Sequence, residues 1–107
     1  MDKMMTVISP GLLLIMQRFP DQRDLLRSIY LEDENFKTIC QDYGRCSEAL
    51  KIWTGSTHNQ ALERVQEYQQ LLFSLDFEIQ QVVNDATARM RKRLSERNQI
   101  VLEVEQD

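Results

Sequence analysis

Side chains able to do covalent or acid–base chemistry are scattered along this 107-residue chain, which has many carboxylates but one histidine and two cysteines. The single histidine, His58, sits in the run Thr54-Gly55-Ser56-Thr57-His58-Asn59, which is a turn by composition. A histidine there reads as a solvated side chain rather than a base or ligand, because no second group is placed to orient it. A zinc site needs three or four ligands, and His58 with Cys40 and Cys46 cannot be gathered around one ion. The two cysteines are six residues apart, about 240° around a helix, so they point apart and cannot bridge within it. They read as reduced apolar fillers in a reducing compartment, with an intermolecular disulfide as the alternative. Asp76 and Glu78 flank the apolar seam of a long helix, while Glu63 and Glu67 face solvent with Arg64 between them. Catalytic carboxylates need a concave, partly dry setting to shift their pKa, and a small helical hairpin offers none. The sequence thus points away from an enzyme, a metal and a cofactor, and toward non-covalent binding.

Two features could carry binding. Phe73 and Phe77 lie four apart but off the main apolar stripe, on the outer face of their helix, where exposed aromatics are unusual. Either the N-terminal segment Leu12, Leu13, Leu14, Ile15, Met16 covers them within one chain, or a second copy or another protein does. The expected partner-binding residues are therefore Phe73, Phe77, Leu12, Leu13, Ile15 and Met16. The second feature is a basic run: residues 89–97 hold Arg89, Arg91, Lys92, Arg93 and Arg97 against one acid, Glu96. The run reads first as a solvated helix end favoured by the helix dipole. The alternative is a nucleic-acid or anionic-surface binder that contacts phosphate, anionic lipid or an acidic protein face. It contains no aromatic to stack on a base, and the chain's net charge is −4, so nucleic acid is not the expected partner.

These groups must be positioned by helices. Phe36, Ile39, Tyr43, Cys46, Leu50 and Trp53 are spaced alternately by three and four residues, and so are Ala61, Val65, Tyr68, Leu72, Leu75, Ile79, Val82 and Ala86. Each set occupies one face of a helix. With three Gly and two Pro in the whole chain, an all-β fold lacks its turn residues. The fold class expected is all-α: a long antiparallel, coiled-coil-like hairpin of helices 34–54 and 59 to about 93, with one or two short N-terminal helices packed on it. The hairpin core is expected to be Phe36, Ile39, Tyr43, Cys46, Leu50, Trp53, Val65, Leu72, Leu75, Ile79 and Val82. Gly55 is placed to end the first long helix in a left-handed conformation. Gly44, on that helix, is either tolerated or marks a close approach to the backbone.

Ser9-Pro10 reads as a helix start, and Pro20 ends or kinks that helix. A second short helix is expected over 20–31, with Asp33 capping the next one or with a kink joining the two. The part of the long helix from Val82 onward outruns its partner and needs cover from this second helix. The chain reads as one domain, with 1–8 and 98–107 as frayed tails. The apolar N-terminal stretch is too short to span a membrane and lacks signal-peptide features, which implies a cytoplasmic protein. Surface binding through residues 4–16 is the membrane alternative.

Phe19-Pro20-Asp21-Gln22-Arg23-Asp24-Leu25-Leu26, then Asp33-Glu34-Asn35-Phe36 and Tyr43, followed by the turn and a long helix with a Tyr and several Leu, resembles the YdcH-like family of short bacterial helical-hairpin proteins of unknown function. The resemblance covers roughly residues 19–85. The Leu-rich N-terminal segment is extra to that pattern, and Cys40, Cys46 and Trp53 are not diagnostic of it. What it implies is a hairpin shape and a bacterial cytoplasmic setting, with no catalytic residue to carry over. The function expected is a non-enzymatic protein-interaction module, self-associating or adaptor-like, with a homo-oligomer favoured.

Overall fold

A computed structural model describes the backbone of residues 9–106 and the side chains of residues 9–97. Residues 1–8, expected to fray, lie outside the described residues. The elements are α1 (Pro10–Arg18), a single 3-10 turn (Pro20–Gln22), α2 (Arg23–Glu32), α3 (Glu34–Thr54) and α4 (Ala61–Gln106), with no strand among the described residues. The long helix α4 packs on α3.

Local chemistry sets most boundaries. Ser9 caps α1 by accepting the Leu12 N–H at 3.1 Å, ahead of Pro10 at the first helical position. Pro20 turns the chain after α1 and opens the 3-10 turn, so the helix expected over 20–31 is divided at Arg23. Asp33 has an extended backbone (φ −121°, ψ 111°), and its carboxylate accepts the N–H groups of Asn35 at 2.9 Å and Phe36 at 3.2 Å. That cap breaks α2 from α3, and the kink alternative does not occur. Gly55 ends α3 at φ −91° and ψ 4°. This is not the left-handed conformation expected; the carbonyls of Lys51 and Trp53 instead accept the N–H groups of Gly55 and Ser56. The α4 backbone is helical through residues 98–106. Glu, Gln and Leu in that stretch favour the helix, and no Gly or Pro stops it.

The core sits where four helices meet, not along the whole α3–α4 seam. It comprises Leu12, Ile15 and Met16 of α1, Leu26 and Ile29 of α2, Phe36, Cys40 and Tyr43 of α3, and Leu75, Ile79, Val83 and Ala86 of α4. Of the expected hairpin core, Phe36, Tyr43, Leu75 and Ile79 are buried, whereas Ile39, Cys46, Leu50, Trp53, Val65, Leu72 and Val82 are half-buried. Near the turn, two helices alone leave most seam residues open on one side, while the small Ala61 is buried. Further along, Cys40 and Val83 are buried more deeply than their neighbours Ile39 and Val82 on the heptad stripe. A straight helix drifts about 20° per heptad, and α1 covers a flank of α3 that the stripe does not mark. As expected, α2 reaches the late part of α4: Leu25 and Ile29 face Ala86 and Met90 across a cleft of about 510 Å³.

The tightest contact is the crossing of α1 over α3. A Cβ on Gly11 would land on the carbonyl oxygen of Cys40, and one on Gly44 would lie 3.3 Å from the Gly11 Cα. Gly44 therefore marks a close backbone approach, the sharper of its two readings. Gly11→Ala should destabilise the fold by about 1–3 kcal/mol or more through overpacking against backbone. Gly44→Ala should stay within about 1 kcal/mol of wild type, because its helix-propensity gain of about 1 kcal/mol opposes the squeeze. Urea unfolding of both variants checks the contrast; equal effects would refute this crossing.

Burial pushes the Cys40 thiol from its ordinary value of 9.0 up to about 12. Its folded value is raised, so its contribution to stability is fully present below pH 9 and is lost as pH rises toward 12. At pH 8 a thiol reagent should modify half-buried Cys46 first, and Cys40 only on unfolding. Equal labelling of both thiols in the folded protein would contradict this core.

Candidate interaction surface

Three elements meet at Asp76. Arg18, the last residue of α1, places Nε 3.0 Å from Asp76 Oδ1 and Nη2 2.8 Å from Oδ2, a two-pronged guanidinium–carboxylate pair between α1 and α4. Arg18 is largely exposed, so the pair is worth at most about 1 kcal/mol, but its geometry fixes where the end of α1 sits. Tyr43 of α3 shares the site. Its hydroxyl pKa is raised, first by burial and then by the negative charge of Asp76, against an opposing effect of Arg18. This clip was not legible in the sequence, because 58 residues separate Arg18 from Asp76 and only the crossing of α1 over α3 brings them together.

Beside the clip, Arg18, Phe19, Phe73, Asp76, Phe77 and Gln80 line a shallow groove of about 380 Å³. Phe73 is 76% exposed and Phe77 65% exposed. Of the two alternatives, cover by the chain's own N-terminal segment is not made. Leu12, Ile15 and Met16 are buried in the core against α3, so they do not reach the two rings and are not open to a partner. The Gly11 crossing sets this orientation, and it leaves Leu13 and Leu14 partly exposed on the other side of α1. The N-terminal residue that does approach the phenylalanines is half-buried Phe19. The membrane alternative loses the same three buried side chains, and residues 4–8 lie outside the described residues.

The basic run lies on the late turns of α4. Arg89, Arg91, Lys92, Arg93 and Arg97 are all exposed on α4. Arg89 and Arg93 form one wall of the 510 Å³ cleft, and Glu32, Asp33 and Glu34 of the α2–α3 junction stand across it. Acids of the same chain thus offset part of the positive field. Met90 and Leu94 form a thin exposed apolar line through the run.

The remaining reactive groups stay apart. His58 is exposed in the turn, with Nδ1 accepting the Gln60 N–H at 3.0 Å and its ring edge-on to Trp53 at 5.8 Å. Among the described residues no group of three or more His, Cys, Asp or Glu side chains is placed to hold a metal ion. No helix among them is long and apolar enough to cross a membrane. The chain matches no family model, no curated protein and no solved structure.

The clip carries its own test. In a Tyr30→Phe/Tyr68→Phe background, ultraviolet titration should show the Tyr43 pKa falling in Asp76→Asn and rising in Arg18→Ala. No movement in either variant would mean that the three groups do not meet.

Proposed function

We propose that α3 and α4 form an antiparallel helical hairpin that serves as a non-enzymatic protein-interaction module, and that the module self-associates through Phe73 and Phe77. One observation carries this reading: two large aromatic rings four residues apart stand mostly in water on a helix whose opposite side is packed. Folded monomers seldom leave such rings together in solvent without a use for them. Phe19 and Arg18 at their side, with Asp76 and Gln80, resemble the aromatic anchor and polar rim of an interface hot spot. The six-residue connection between α3 and α4 supports the antiparallel arrangement, since short links join neighbouring helices running in opposite directions. The resemblance to YdcH-like hairpins adds a shape to this reading and no chemistry. Free Cys40 and Cys46 agree with a reducing, cytoplasmic setting.

The second reading, anion binding through Arg89, Arg91, Lys92, Arg93 and Arg97, is supported by their exposure and weakened by the acids facing Arg89 and Arg93. Salt separates the two, because phosphate contacts weaken steeply as salt rises and an apolar helix interface does not.

Light scattering of the wild type beside Phe73→Asp/Phe77→Asp tests the proposal. A wild-type dimer that becomes monomeric in the variant, with helicity unchanged by circular dichroism, is the expected result. Wild-type monomer at every concentration up to about 1 mM, a weak affinity by the standards of specific association, would overturn it.

A further inference from the structure

The outer face of α4 reads the same in both directions. Leu62, Gln66, Gln70, Phe73, Phe77, Gln80, Asn84 and Ala88 are spaced 4, 4, 3, 4, 3, 4, 4 and fall on one stripe of the helix. All eight are exposed. The order of types is mirrored about Leu75: aromatic beside aromatic, amide beyond each, amide beyond each again, and an apolar residue at either end. At 1.5 Å per residue the stripe is about 40 Å long.

The eight stripe positions also carry no charge; the charges beside them are the mutually neutralising Arg18–Asp76 pair at the groove of Phe73 and Phe77. Glu63, Arg64, Glu67, Asp76, Glu78 and Asp85 all fall outside the stripe. At the chain's charged fraction of 28%, eight solvent positions would hold about two charged residues, and designed soluble surfaces are as charged or more so. A helix face meant only for water has no reason to avoid charge over this length. A face that meets its own copy across a twofold axis does, because each charge near the axis meets its like.

Resting on the self-association proposed above, we infer that the partner is a second copy of this chain, docked antiparallel along α4 with the twofold axis at the level of Leu75. In that register Phe73 packs against Phe77 of the second copy, Gln70 faces Gln80, Gln66 faces Asn84 and Leu62 faces Ala88, each contact occurring twice. The side-chain amides suit this arrangement, since each both donates and accepts and pairs with another amide in either orientation. Gln80 already donates to Asn84 Oδ1 at 3.1 Å along the helix, which holds both amides on the stripe. A contact about 40 Å long and one helix, about 10 Å, wide buries roughly 800 Å² in total, below the standard size of a stable interface, so the dimer is weak and concentration-dependent.

A charge pair tests the register separately from the association. Gln70→Glu with Gln80→Lys in one chain creates two opposite-charge contacts across an antiparallel interface centred on Leu75, and two like-charge contacts across a parallel one. By sedimentation equilibrium at low salt, the double variant should dimerise several-fold more tightly than either single variant, with the gain fading near 1 M salt. A second measurement uses Gln70→Cys/Gln80→Cys in a Cys46→Ser background. Oxidation should join position 70 of one chain to position 80 of the other. A double charge variant that dimerises no more tightly than the singles, or cross-links running 70 to 70 and 80 to 80, overturns this register. If Phe73→Asp/Phe77→Asp still splits the wild-type dimer in that case, self-association stands and only the arrangement falls. A wild-type monomer removes both.

Discussion

The fold depends on one steric constraint, the passage of α1 across α3 at Gly11 and Gly44, with no Cβ on either side. Two helix backbones come together there closely enough that the Cys40 carbonyl occupies the space of a Gly11 side chain. That approach presses Leu12, Ile15 and Met16 between α1 and α3 and buries them with Phe36, Cys40 and Tyr43. It also sets the heading of α1, so that Arg18 arrives at Asp76 and Phe19 beside Phe73 and Phe77. A wider crossing would leave a nearly all-apolar nine-residue helix with too little surface to bury.

Charge does little of the holding and much of the placing. No polar or charged side chain is buried among the described residues, so the core rests on apolar contact. The ion pairs among the described residues are surface pairs, several of them one helical turn apart, and water screens each of them. Arg18–Asp76 is the tertiary pair among the described residues, and its value lies in direction. It marks where α1 ends on α4 and puts a carboxylate beside Tyr43. At the other end of the core, acids of the α2–α3 junction stand across a cleft from Arg89 and Arg93.

The division of α4 into faces follows from these contacts. Its inner face meets α3 and α2 through Leu75, Ile79, Val83 and Ala86. Its outer face keeps two aromatic rings and a set of uncharged amides in water. With Leu12, Ile15 and Met16 committed to the core, the chain has no apolar segment among the described residues left to lay over that face. A partner docking there, as proposed, would require no rearrangement of the core.

Much of the architecture was legible in the sequence, because helix formation here is governed by local patterning. The seven-residue stripes gave α3 and α4, Ser9-Pro10 gave the start of α1, Asp33 the start of α3, and the Thr54–Asn59 run the turn. Phe36, Tyr43, Leu75 and Ile79 were identifiable as core because any cover over the stripe would bury them. Tertiary structure decided what depends on a third body. It moved deep burial to Cys40 and Val83, left the turn end of the seam half-open, sent the N-terminal leucines away from Phe73 and Phe77, and joined Arg18 to Asp76 and Tyr43. Periodicity reports which face of a helix is apolar, but the azimuth at which another helix crosses that face is set by contacts far apart in the chain. Here it was set by two glycines 33 positions apart, Gly11 and Gly44.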